Sequence, residues 1–302
     1  MLANLQRIIT LLLAAFSFGW LIYFRATSPF LAVAGFMLIA FGYVAVLGLE
    51  FVLLHFVNKS DATPRATLRE LCSAWLGEAL TAPLVFCWRQ PFRANLVPDM
   101  PASKAPNAGG RGVVFIHGFF CNRGMWTPWL EKLQARGIAF VAVSLEPVFG
   151  SIDNYAPQIE AAVQRITRAT GQAPLLVCHS MGGLAARAWL KAYRSEARVH
   201  HVVTIGTPHR GTWLARFGSG HNGRQMRLLS DWLARLDEGM HERRNALFTC
   251  WYSNTDNIVF PVSTATLPGA DNRLVRGAAH VQMAFLPHIM AATLALVDAK
   301  TA

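Results

Sequence analysis

The sequence predicts an α/β domain, a mostly parallel sheet with helices on both faces, preceded by two transmembrane helices. Three observations predict it. The first sixty residues hold two long apolar runs. From residue 112 onward, short apolar strands alternate with amphipathic helices, the rhythm of a parallel sheet wrapped by helices. Hydrophobic residues make up 53% of the 302 residues, and the mean hydropathy of +0.31 is high for a chain wholly in water. The expected organisation is a two-helix membrane anchor over 1–58, an amphipathic and linker segment over 59–110, and a catalytic domain over 111–302.

The first run, "IITLLLAAFSFGWLIYF" (8–24), carries no charge, and the second, "FLAVAGFMLIAFGYVAVLGLEFVLLHFV" (30–57), is longer. Each can cross the roughly 30 Å hydrocarbon core as a helix, with "RATSP" between them as a tight hairpin. A cleaved signal peptide is the rival for the first run, since Arg7 precedes it and Ala26-Thr27-Ser28 is small-x-small. Pro29 directly after such a cut, and a second span starting at once, argue against it. Glu50 and His55 lie near the end of the second run, where the membrane exit lets Glu50 reach the headgroups; a proton relay is the sharper alternative. Arg7 precedes the spans, Lys59, Arg65 and Arg69 follow them, and only Arg25 lies in the hairpin. The positive-inside rule then puts both ends of the chain in the cytoplasm.

Lys and Arg total 28 against 17 Asp and Glu, a net charge of +11 that suits a domain held against an anionic leaflet. The arginines are scattered and no nucleic-acid-binding motif occurs, so no nucleic-acid partner is expected. Five cysteines, without CxxC or zinc-like spacing, predict neither a disulfide framework nor a metal site.

After the spans, "NKSDATPRA" (58–66) reads as a polar linker. Residues 67–82 form an amphipathic helix with Leu68, Leu71, Cys72, Trp75, Leu76, Ala79 and Leu80 on one face, which Pro83 ends or kinks before "LVFCW". That segment lies on the membrane surface or packs on the domain. Residues 98–112, rich in Pro, Gly and Ala, form a loop into the core. Strands are expected at 112–118, 138–145, "APLLVCH", 201–208 and 246–254. Helices are expected at "MWTPWLEKLQARG", at 151–171 with Ser151 as N-cap, at "MGGLAARAWLKAYR" and at 281–298. Residues 211–245 break the rhythm and are a plausible lid over a pocket.

The chemistry centres on "VCHSMGG" (177–183). A serine on a strained strand-to-helix turn projects its oxygen above the sheet, beside the positive end of the helix. Such a turn brings the residues two before and two after it close together. Gly182 is small, and Cys178 is little larger than serine. Ser180 is therefore the candidate nucleophile, and Cys178 a small buried hydrophobe rather than a reactive thiol. In isolation the pattern is also met at strand–helix junctions without chemistry.

In "FIHGFFCNRGMW" (115–126), Gly118 lets the chain turn so that the N–H of Phe119, with that of Met181, forms an oxyanion hole. His117 reads as a structural hydrogen-bonder rather than a base, and Asn122 and Arg123 as ties for the loop. In "WYSNTDNIVFP" (251–261), Asp256 follows a strand, where an acid must sit to orient a histidine; alone it would read as an Asx turn. In "RGAAHVQMAFLP" (276–287), His280 precedes a helix within reach of both; alone it is a polar residue at a helix start. His288 is expected to be buried or on that helix's far side. The chain order Ser180, Asp256, His280 is the Ser–acid–His order of the α/β hydrolases.

"FIHGFF", "VCHSMGG", "TIGTPHRGTWLA", "SNTDNIVFP" and "GAAHVQM" together resemble the bacterial triacylglycerol lipase and esterase branch of the α/β-hydrolase superfamily, over roughly 112–298. The resemblance implies an α/β-hydrolase fold, with Ser180 as nucleophile, His280 as general base and then acid, and Asp256 as orienting acid. It implies oxyanion donors at Phe119 and Met181, and a structural role for His209. Cys178 departs from the pattern, which has Gly or Ala there, and the membrane hairpin departs from the plan of secreted lipases. The expected function is a membrane-anchored lipase or esterase that needs no metal or organic cofactor. It would act on lipid or acyl esters in the bacterial inner membrane, with its catalytic domain facing the cytoplasm. Two rivals are an acyltransferase using the same triad and a non-catalytic membrane accessory protein that kept the fold.

Overall fold

The computed structural model describes residues 1–100, 110–194, 196–238 and 242–298. The part of the expected loop that falls at 101–109 lies outside them.

Helix α1 (Leu2–Phe24) and helix α2 (Pro29–Val57) form an antiparallel hairpin. Pro29 occupies the first position of α2, and the Ser28 hydroxyl accepts the N–H of Leu31, so the sequence supplies both a preset φ and a cap. Helix α3 (Leu68–Pro83) opens on a reciprocal cap between Thr67 and Glu70. Its α-helical pairing ends at Pro83, but the helical path does not. The helix widens to a π-helical stretch over Leu84–Arg89 and runs on into α4 (Gln90–Phe92). Proline removes one ladder donor, and the wider i→i+5 pairing takes up the mismatch. Among the described residues, Leu2–Phe24, Pro29–Ser60 and Leu68–Phe92 are long and apolar enough to cross a membrane.

The third of these packs on its neighbours. The Tyr43 hydroxyl donates to the Ala79 carbonyl at 2.8 Å, and the Trp75 indole to Val44 at 2.9 Å. On its other side the Glu78 carboxylate accepts the N–H groups of Val281 and Gln282, each at 3.0 Å. Helix α3 is thus a wedge between α2 and the sheet domain.

Six parallel strands form the sheet: β1 (Val113–Ile116), β2 (Phe140–Ala142), β3 (Leu175–His179), β4 (His201–Ile205), β5 (Phe248–Ser253) and β6 (Asp271–Val275), ordered β2-β1-β3-β4-β5-β6. Between and after them come α5 (Thr127–Ala135), α6 (Ala156–Thr170), α7 (Met181–Tyr193), α8 (His221–Gln225), α9 (Asp231–Asp237), α10 (Glu242–Asn245), α11 (His280–Met283) and α12 (Pro287–Asp298). Alternate residues divide the core. Val114, Ile116, Leu176 and Cys178 face α6 and α7, while Val113, Phe115, Leu175 and Val177 face α5 and α12.

Three differences from the sequence expectation have physical reasons. Strand β6 was not expected because its first three residues are exposed Asp271, Asn272 and Arg273, the polar composition of an edge strand. The expected strand over 201–208 stops at Ile205, where Gly206 turns with φ +59°. The last helix divides into α11 and α12 because Pro287 starts a new helix rather than continuing the old one. The 211–245 insertion is fastened to the domain. Trp232 donates to Asp153 at 2.8 Å, and Met226, Leu233 and Leu236 join the core on the α6 and α7 side. Its Phe217 and Leu229 remain exposed.

Buried Gln90 joins three elements. Its Oε1 accepts the Asn122 N–H at 2.9 Å and the Gln6 amide of α1 at 3.1 Å, and its carbonyl accepts from the Asn122 side chain. Gln90→Ala leaves a buried backbone donor unpaired, a cost of about 1–3 kcal/mol. We expect a lowered thermal unfolding midpoint, measured on the full chain; an unchanged midpoint would show that the junction carries no stability.

Candidate active site

The sheet register places β1, β3 and β4 side by side, with Ile116 opposite Cys178 and Cys178 opposite Thr204. The chain leaves β3 at His179 and enters α7 at Met181, so Ser180 makes the whole turn. Its φ of +54° and ψ of −130° lie where a side chain with a Cβ is strained. The turn is held from the neighbouring strand. The Ser180 N–H donates to the Ile205 carbonyl at 2.9 Å, and the Thr207 hydroxyl donates to the Ser180 carbonyl at 2.8 Å.

The small-residue requirement differs between its two sides. A Cβ on Gly182 would stand 2.3 Å from the Ile116 carbonyl oxygen and 2.7 Å from that of His117. Glycine is obligatory there because the obstacles are backbone. Cys178 is fully buried with its thiol on the α6 and α7 side of the sheet, and burial pushes that thiol's pKa up. A thiol held protonated is a poor nucleophile.

The structure brings Asp256 and His280 together. His280 Nδ1 lies 2.9 and 3.0 Å from the two carboxylate oxygens of Asp256, with 4% and 1% of the two residues exposed. Asp256 Oδ1 also accepts the N–H groups of Ile258 at 3.0 Å and Val259 at 2.8 Å, the Asx turn that its sequence context allowed. The turn and the histidine contact coexist because a carboxylate has lone pairs for both. Burial pulls the His280 pKa down, but the Asp256, Glu78 and Glu50 carboxylates outweigh it, and the net shift is upward.

Ser180 and this pair share a wall. A Cβ on Gly206, next to Ile205, would meet Asp256 Oδ2 at 2.9 Å and His280 Nδ1 at 3.0 Å, and one on Gly118 would meet Ser180 Cβ at 2.7 Å. Ser180 Oγ makes no hydrogen bond among the described residues. The expected oxyanion donors flank it. Met181 is the first residue of α7, whose N–H has no intrahelical acceptor, and Phe119 follows Gly118 in the loop after β1.

His117 sits in that loop without facing the serine's chemistry. Its Nδ1–H donates to the Gly118 carbonyl, and its Nε2 accepts the Leu145 N–H, each at 2.9 Å. Burial lowers its pKa to about 4, so it stays neutral. Asn122 caps the following turn through Gly124 at 2.8 Å, and Arg123 pairs with Asp99 at 2.8 Å and donates to Ala94 and Ala142. His209 is buried against Thr204 and Cys250. His288 is exposed with its ring 5.8 Å from Trp251.

Two contributors escaped the sequence reading, and a third was read there without its partner. His179 Nε2–H donates to the His280 carbonyl at 3.2 Å, and Asn257 Oδ1 accepts the His280 N–H at 3.1 Å. Both stand beside residues already singled out, and that adjacency was their only signal. The third is Glu50, expected from the sequence at the headgroups and here in contact with the domain. Its Oε2 accepts from Asn257 Nδ2 at 2.7 Å, turned inward onto the domain.

The geometry of the turn predicts a graded response. Cys178→Ala is expected to retain most turnover of a soluble ester, because only a thiol is removed. Cys178→Leu and Gly182→Ala are expected to abolish it, the first by overpacking a filled site, the second by the 2.3 Å clash. Steady-state kinetics on folded protein checks this; equal activity in all three would mean that the turn tolerates expansion.

Solved structures give an independent comparison. The mature form of Bacillus licheniformis lipase BlEst2 matches at 17% identity and a TM-score of 0.55, over 64% of this chain and 94% of that one. Aspergillus fumigatus lipase B matches at 19% identity and a TM-score of 0.57, over 93% of this chain and 75% of that one. At such identities the likeness is one of fold. No curated protein sequence gives a significant match. The family model described as "Alpha/beta hydrolase family" matches residues 113–297, from the first strand to the last helix. The chain belongs to the alpha/beta hydrolase family.

Proposed function

We propose that the protein is a membrane-anchored serine hydrolase, of lipase or esterase type, that cleaves carboxylic esters of lipid-like substrates through an acyl-enzyme. One observation carries this reading: a serine strained at φ +54° heads a helix on the same wall as a histidine held by a buried aspartate. The fold likeness to two lipases supports it.

In the proposed mechanism His280 takes the Ser180 proton as Oγ attacks the ester carbonyl. Asp256 keeps Nδ1 protonated, so that Nε2 is the free base, and stabilises the imidazolium that forms. The carbonyl oxygen becomes an oxyanion received by the Phe119 and Met181 N–H groups, near the positive end of α7. The alcohol leaves with the proton from His280. Water, deprotonated by the same histidine, then attacks the acyl carbon and restores Ser180. No step needs a metal or organic cofactor. Gly118 and Gly182 allow the loop and the turn to approach each other, Cys178 fills the strand side of the turn, and His117 braces the loop.

The apolar hairpin α1–α2 serves as the membrane anchor, with both ends and the catalytic domain on the cytoplasmic side by the positive-inside argument. Exposed Phe119 and Phe149, with ring centroids 5.7 Å apart beside the serine's loop, favour an acyl chain at the mouth. The partners are thus the bilayer and an ester drawn from it, with no nucleic acid.

A fluorophosphonate probe is expected to label Ser180 in the folded chain. Ser180→Ala should lose both labelling and ester turnover, by on the order of 10⁴-fold or more. An unlabelled wild type, or an active Ser180→Ala, would sink the reading. Because His280 must be neutral to act as base, kcat/KM should rise with pH through a value above the ordinary histidine pKa of about 6.5. A rise centred below that value would contradict the electrostatics of the site.

A further inference from the structure

We propose that Glu50, in the second apolar helix, is a positioning residue for this reaction, acting through Asn257 on the backbone of His280. The inference rests on the reading of Ser180, His280 and Asp256 as a catalytic triad.

Glu50 is the only Asp, Glu, Lys or Arg among the 29 residues of α2. A carboxylate in such a helix is costly unless it has a partner, and residues of this kind mark function. Its partner is Asn257, fully buried and next to Asp256 in sequence. The Asn257 amide faces two groups of opposite character. Its Nδ2 donates to Glu50 Oε2 at 2.7 Å, and its Oδ1 accepts the His280 N–H at 3.1 Å. If the amide turned over, Nδ2 would face an N–H and Oδ1 would face a carboxylate. Both contacts would then set like against like, a donor against a donor and an acceptor against an acceptor. The carboxylate therefore selects one orientation of the amide, and that orientation fixes where the His280 backbone sits.

The surroundings hold Glu50 where this requires. Phe51 and Leu54, on the same helix, pack with Ala74, Phe260, Val262 and Ala279 in one apolar cluster. Glu50 is thus carried on a rigid element docked on both segments that bear the triad's acid and base. His280 is otherwise held by Asp256 at its ring and by His179 at its carbonyl, so Asn257 is the third of three restraints. The charged and titratable groups facing His280 are Asp256 after β5, Glu50 from α2, Glu78 from α3 and His179 from β3. The three carboxylates favour the imidazolium, against burial, which disfavours it. Removing the Glu50 charge therefore lowers the pH at which His280 becomes a free base.

The test uses the full-length chain in nanodiscs with a soluble aryl ester, and reads kcat, KM, the pH profile, the thermal midpoint and fluorophosphonate labelling. Glu50→Leu is expected to lower kcat by about tenfold with KM nearly unchanged. Asn257→Ala should do the same, and the double variant should be no worse than either single one, because both cut one connection. Glu50→Gln, whose amide oxygen can still accept from Asn257, should recover most of kcat while its acidic limb moves to lower pH. If Glu50→Leu does not fold, the limb of Glu50→Gln against wild type decides alone. Wild-type kcat and pH profile in the Glu50 variants, or additive losses in the double variant, would overturn the proposal while Ser180 labelling left the hydrolase reading intact. A wild type that is not labelled at Ser180 would overturn both.

Discussion

The site depends on one local constraint: the chain must reverse from strand to helix in a single residue, and that residue carries a side chain. Ser180 pays for this with backbone strain at φ +54°. The strain persists because the surroundings leave no alternative. The turn is bonded to Ile205 and Thr207 on one side and lies against the Ile116 and His117 carbonyls on the other. Without that close approach of β1 and α7, the loop after Gly118 would move away from the serine. The oxyanion hole proposed for the Met181 and Phe119 N–H groups depends on that approach.

Much of this was legible because it is local. Period-two and period-3.6 apolar patterns follow from the geometry of strands and helices, so β1 to β5 and α5 to α7 are visible in the letters. The order of Ser180, Asp256 and His280 was legible for a related reason: each lies where a strand ends or a helix begins, and such places are marked by Gly, Asx and small residues. Strand β6 was not legible, because an edge strand is specified by its neighbour rather than by its own polar face. Pro83 was legible as a break in the α-helical pairing, not as the form the break takes. A single proline announces a lost donor, whereas the wider pairing over Leu84–Arg89 is set by how the helix runs on into α4.

The contacts hardest to foresee join residues about two hundred positions apart: Glu50 with Asn257, and Glu78 with Val281 and Gln282. A single acid in an apolar helix announces that it needs a partner, not which one. The bland interpretation sends it to the nearest water. Here the nearest polar group is protein, and the apolar helices turn Glu50 and Glu78 toward the segments that carry Asp256 and His280. This also explains why a histidine so deeply buried is not driven to a low pKa. Its neighbours supply negative charge faster than burial removes solvation.

The hairpin is fastened to the sheet domain at both of its ends. At one end the amino terminus pairs with Glu146, and Gln6 donates to the Phe120 carbonyl. At the other, Asn58 and Asp61 accept the N–H groups of Val262 and Ser263. A body hung from a single flexible strap tumbles through many attitudes, and each encounter with a surface must find the right one again. A body gripped at two points has lost that freedom before any substrate arrives. Under the membrane placement proposed above, the mouth would keep one height and one heading relative to the lipid. The search for an ester would then be a lateral diffusion problem in two dimensions, with the rotational entropy of docking already spent during folding.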